Sequence, residues 1–130
     1  MNSQTASEET GLHLLDIGEW DEGIICAYTY TVSASVIDID HVGAKIVLID
    51  CQENSLEMDY EALEAAITEK TKVIIMVDLG GVPCDYDRIY EIVERKKICS
   101  TPIMRFRQLL DVSSSWQMEL MHLAQARTTR

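Results

Sequence analysis

With 130 residues, 47% of them hydrophobic and 25% charged, the chain can bury one modest core but is small for most α/β enzymes. A net charge of −11 argues against a nucleic acid or an anionic membrane as partner. No apolar run approaches the roughly 20 residues of a membrane span and no signal peptide is visible, which points to a cytoplasmic protein.

In chain order, Met1 to Leu15 reads as a polar turn leading into a helix. Gly23 to Tyr28 (GIICAY) is an apolar run expected to form a buried strand. Thr31 to Val42 reads as a helix ending at Gly43 in a C-cap position. Lys45 to Asp50 (KIVLID) is the next strand, and Asp59 is placed to cap a helix over Tyr60 to Thr68 with Leu63, Ala66 and Ile67 on its apolar side. Val73 to Val77 is an unbroken β-branched run, the pattern of a strand covered on both faces. Gly80, Gly81 and Pro83 then break the chain. Asp85 caps a last helix with Asp87 in its first turn, Tyr86, Ile89, Ile92 and Val93 on one face, and Lys96 and Lys97 at its negative end. Helices and strands alternate through Lys97, so the expected fold is α/β with mainly parallel strands and flanking helices.

The character changes after Lys97. Residues 1–97 hold 20 acids and 7 bases, whereas 98–130 hold 2 acids and 4 bases. The second segment offers no convincing strand, and Met118 to Ala126 reads at most as weakly helical. Cys26, Cys51, Cys84 and Cys99 have no CxxC or metal-ligand spacing and read as reduced thiols, with no metal site.

The blocks GEWDEGIICAYTYTVSASVI, DHVGAKIVLID and DYEALEAAITEKTKVIIMVDLGGVPCDYDRIYEIVERKK resemble, in order, the N-terminal half of the large domain of DegT/DnrJ/StrS-type sugar aminotransferases. The likeness runs from about Asn2 to Lys97. It implies a partial PLP-transferase (aspartate-aminotransferase-like) large domain over 1–97, with 98–130 as a non-homologous tail. It also implies pyridoxal phosphate (PLP) as cofactor, a keto-sugar and an amino donor as substrates, and homodimers. Asn2-Ser3-Gln4-Thr5-Ala6 matches the family's phosphate-binding turn, making Thr5 and Ala6 the phosphate candidates. Such a turn suits an anion because a helix start concentrates unpaired N–H donors. Tyr30 stands where the family places the aromatic that stacks on the cofactor ring. Away from the resemblance, the same residues read as an ordinary N-cap and a packing aromatic.

Several positions depart from the family pattern. Trp20 stands for a glycine, Gly23 for a strand valine and Cys26 for a proline, and Ile37 to Asp40 looks two residues longer than the family helix. Glycine inside a strand weakens it, and tryptophan fits a tight turn badly. The family's D-x-A-H/Q acid opposite the pyridine nitrogen and its S-F-x-x-x-K lysine, which holds the cofactor aldehyde, have no counterpart, so no catalytic residue is assigned. Regrouping the nearly forced codons of Trp116 to His122 one base earlier permits M-A-D-G-A-H-A, which resembles the missing acid motif. A one-base shift near Lys97–Ile98 is therefore expected in the gene, and sequencing the locus tests it. The resulting expectation is an inactive aminotransferase fragment. The alternatives are a non-catalytic α/β remnant or interaction module, and, lacking any GxGxxG or P-loop to support it, an unrelated doubly wound binding domain.

Overall fold

The computed structural model describes residues 3–37 and 42–96, together with the backbone of 118–122. The elements are α1 (Gln4–Leu14), β1 (Glu22–Cys26), α2 (Thr31–Ser35), β2 (Lys45–Ile49), α3 (Tyr60–Ala66), β3 (Thr71–Val77), a 3-10 turn at Leu79–Gly81, α4 (Tyr86–Arg95) and β4 (Met118–His122). They form a sheet of order β2-β1-β3-β4. β1 lies between β2 and β3 and is parallel to both. β4 closes the other side of β3 in antiparallel register, Val73 opposite His122 and Val77 opposite Met118.

Period-two alternation along the central strands sends side chains to opposite faces and so creates two cores. On one face Ile24, Cys26, Ile74 and Met76 pack with Ile49, Met58, Tyr60 and Leu63, and with Ile89, Ile92 and Val93 of α4. On the other face Ile25, Val73 and Ile75 pack with Leu12 of α1, Ile17, and the Val36, Ile37, Val42 and Ala44 group around α2. Burial on both faces explains why the strand sequences are continuously apolar. Each fully buried Ile or Leu adds about 1.5–3 kcal/mol of transfer free energy, so these two clusters are the main favourable term.

The helix caps follow the local sequence. Asp59 accepts hydrogen bonds from the Glu61 and Ala62 N–H groups at 2.9 and 3.2 Å, and Asp85 accepts from Arg88 N–H at 3.1 Å. Ile89, Ile92 and Val93 are buried as the helical spacing of α4 requires. Between the two helices, Arg95 pairs with Glu64 at 3.0 Å and the Arg88 guanidinium lies 4.7 Å from the Tyr60 ring centre.

Two expectations are corrected. Among the described residues, the helix predicted over Thr31 to Val42 is held by the five residues of α2, and the chain turns at Val36 and Ile37. The Ala44 N–H donates to the Ile37 carbonyl at 3.1 Å, so the backbone has already folded back by that point. Gly43 does adopt the left-handed φ of +82° that its place before β2 demands. Of the Ile37 to Asp40 stretch that looks two residues longer than the family helix, Asp38 to Asp40 lie outside the described residues. The second correction is β4, which forms within the stretch read as weakly helical. The open edge of β3 supplies a template of backbone donors and acceptors that a weak helical pattern does not match.

The departures at Gly23 and Trp20 also have structural reasons. A Cβ on Gly23 would sit 2.7 Å from Ile37 Cγ2 and 3.0 Å from Val73 Cγ1, so Ile37 fills the notch that glycine leaves. Trp20 occupies a turn closed by Asp21 N–H to Gly18 carbonyl and Gly18 N–H to Asp21 carboxylate, and its ring stands 78% exposed in solvent.

Candidate functional site

Thr5 and Ala6 fall in the first turn of α1, directly after Ser3 at the N-cap. First-turn N–H groups have no partner within a helix, and here Ser3 makes no side-chain capping bond to them. Ser7 Oγ instead donates back to the Ser3 carbonyl at 3.0 Å. Thr5 and Ala6 are half-buried, and the Thr5 hydroxyl makes no hydrogen bond among the described residues. Among the described residues no side chain caps the start of α1, the positive end of the helix dipole and the kind of terminus that suits an anion.

Tyr30 sits at the N-cap of α2, four residues beyond the C-terminal end of β1, with 74% of its surface exposed. The packing role that its aromatic character first implies does not apply, because an exposed ring contributes little to a core. Among the described residues, no hydrogen bond or ring contact joins Thr5 or Ala6 to Tyr30.

β1, β2 and β3 are parallel, so their C-terminal ends share one edge of the sheet, the side on which open α/β sheets bind ligands. The polar groups there were not singled out by sequence reasoning. Asp78, the first residue after β3, accepts from Cys84 N–H at 3.0 Å and from the Tyr86 hydroxyl at 2.7 Å, fixing the turn through Gly80 and Gly81 against α4. The Tyr60 hydroxyl donates to Glu57 at 2.8 Å and accepts from Asp85 N–H at 2.7 Å, tying the start of α3 to that of α4. Burial, more than any neighbouring group, pushes the Tyr60 hydroxyl above its ordinary pKa. An acid directly after a buried strand and before Gly-Gly is the signal by which Asp78 could have been found.

The cysteines at this edge are not scattered in space. Cys26 Sγ lies 3.2 Å from Cys51 Sγ. Burial first, and then the contact with Cys51, push the Cys26 thiol up to about 11. Burial and the nearby Asp78 carboxylate push Cys84 up to about 12, and its thiol points to the Val77 carbonyl at 3.6 Å. Among the described residues no group of three or more His, Cys, Asp or Glu side chains is placed to hold a metal ion. No described helix is long and apolar enough to cross a membrane.

A profile of the DegT/DnrJ/EryC1/StrS aminotransferase family matches residues 1–100. The chain belongs to that family. It is 38% identical over 94 residues to the spore coat polysaccharide biosynthesis protein SpsC of Bacillus subtilis, covering 72% of this chain and 24% of that protein. An uncharacterized protein of Methanocaldococcus jannaschii is 39% identical over 92 residues, covering 71% of this chain and 23% of its own length. Among solved structures, a Streptococcus pneumoniae protein described as a sugar aminotransferase is 55% identical, with a TM-score of 0.70 over 74% of this chain and 24% of its own. That neighbour has been solved in its PLP, PMP and apo forms. The chain thus spans about a quarter of the length of these relatives. Its α/β layers are the aminotransferase fold in part, and the reading as an unrelated doubly wound binding domain is set aside.

Proposed function

We propose that this chain is the N-terminal part of a PLP-dependent aminotransferase acting on a keto-sugar, nucleotide-linked or similar, and that by itself it does not transaminate. The observation that carries the reading is the first turn of α1, uncapped by any side chain among the described residues, at the start of a family match over residues 1–100. The residues present suit two parts of the cofactor. Thr5, through its hydroxyl and N–H, and Ala6, through its N–H, would hold the phosphate, and Tyr30 would cover one face of the ring and exclude water from it. When bound, PLP supplies the electron sink through which an amino group passes from a donor amino acid to a ketone. Nothing in residues 1–97 matches the family's lysine motif or its pyridine-facing acid, which is why turnover by this chain is not expected.

Within the same proposal, the homologous part ends near Lys97, the enzyme to which it corresponds is a cytoplasmic homodimer, and its product serves polysaccharide biosynthesis. Titrating the 15N-labelled chain with PLP tests the site. Saturable shifts of the Thr5 and Ala6 amides, weakened by Thr5→Ala and by Tyr30→Ala without a change in Tm, are expected. Shifts confined to other residues would refute the assignment.

A further inference from the structure

Cys26 ends β1, where it pairs in register with Ile49 of β2, and Cys51 follows two residues after Ile49 on the same face of the sheet. Their sulfurs are 3.2 Å apart, so closing to the roughly 2.05 Å of a disulfide requires an approach of a little over 1 Å. The strand ends are held in place on both sides. The Ala27 N–H donates to the Ile49 carbonyl at 2.7 Å, Cys51 bridges to Met58, and Cys51 N–H donates to the Asp50 carboxylate at 2.8 Å. Cys84, by contrast, is buried and directs its thiol to the Val77 carbonyl. The two paired thiols also differ in access: Cys26 is 5% exposed, whereas Cys51 is half-buried and reachable from solvent.

We infer that Cys26 and Cys51 form an oxidisable thiol pair that a hydroperoxide converts to an intrachain disulfide across β1 and β2. The Cys51 thiolate attacks the terminal peroxide oxygen and becomes a sulfenic acid, and the other oxygen leaves as an alkoxide that is protonated to an alcohol (as hydroxide, protonated to water, for hydrogen peroxide). The Cys26 sulfur then attacks the Cys51 sulfur, and the sulfenic oxygen leaves as water with the Cys26 proton. Together the two thiols lose two protons and two electrons, which reduce the hydroperoxide to an alcohol and water (two waters for hydrogen peroxide). Cys51 meets the oxidant because it is the accessible member, and Cys26 resolves because its proximity offsets its small thiolate fraction. The bond would tie the end of β1, from which the Tyr28 to Tyr30 segment leaves, to the end of β2, and would close a loop of about 25 residues.

The test treats the full chain with stoichiometric hydrogen peroxide, blocks remaining thiols with iodoacetamide and maps crosslinked peptides by mass spectrometry. The same oxidation is run in guanidinium chloride. In native buffer the Cys26–Cys51 link should dominate, should persist in Cys84→Ser and should raise Tm by about 5–10 °C over the reduced chain. In denaturant the links should spread over all cysteines. A native crosslink pattern equal to the denatured one, or Cys51 over-oxidised without a link to Cys26, would overturn the inference. The crosslink map and the Tm comparison can both be read on the unsubstituted chain, so the outcome does not depend on the folding of a variant.

Discussion

Glu22 is 7% exposed at the start of β1, where it accepts from the Thr68 hydroxyl at 2.7 Å and the Lys45 ammonium at 3.0 Å. The Thr68 hydrogen bond first, and then Lys45, hold its carboxyl below the ordinary value of 4.5. A depressed folded pKa stabilises the native state fully above the unfolded value, and that contribution is lost as pH falls through the lower folded value. Tm should therefore decline as pH drops below about 4.5, and Glu22→Gln should flatten that limb while lowering neutral-pH stability by about 1–2 kcal/mol. Thermal melts between pH 3 and 7 check both effects. Gly23 gives a second prediction at this scale. Gly23→Val places methyl groups inside contact distance of Ile37 and should cost about 1–3 kcal/mol. Because Ile37 is the side chain in the way, the double variant with Ile37→Ala should lose less than the sum of the two single losses. An additive result in denaturant unfolding would disprove the notch-and-filler relation.

The elements differ in how much of them local sequence decides. The caps Asp59 and Asp85 were legible because a cap needs only its own first turn, and Asp59→Ala should cost about 1 kcal/mol in a thermal melt. The apolar face of α4 was legible for the same local reason. Its packing against the sheet makes Ile89→Ala a larger loss, about 2–5 kcal/mol, enough to leave little native chain by circular dichroism. The short α2 and the strand β4 were not legible, because their limits are set by partners distant in sequence. Ile37 leaves the helical path to fill the space over Gly23, and β4 forms where β3 presents an edge. The proximity of Cys26 to Cys51 was hidden likewise, since 25 residues separate positions that strand register brings together. For the site, Thr5, Ala6 and Tyr30 were reached through family resemblance, whereas Asp78 required the strand end to be placed first.

For the molecule as a whole, the described fold is a small sheet with helices on both faces and β2 at one edge of its four-stranded order. Leu48 on that strand is 59% exposed, and Leu14 and Trp20 are 74% and 78% exposed. An edge strand with outward apolar side chains favours pairing with another chain, while the charge of −11 opposes it. Light scattering should show species heavier than the 14.7 kDa monomer increasing with protein concentration and with salt, which screens the repulsion. Unfolding should be broad, with hydrophobic-dye binding ahead of the loss of secondary structure, because net stability is a small difference between large terms and the sheet is only part of the family's. The most direct test of the central claim, that this chain carries the phosphate cradle without the covalent attachment point, is borohydride reduction with equimolar PLP. The expected spectrum has no visible band shifted from free cofactor, and peptide mapping finds no single lysine labelled stoichiometrically. One lysine labelled to completion, with amino transfer to a keto-sugar, would contradict it.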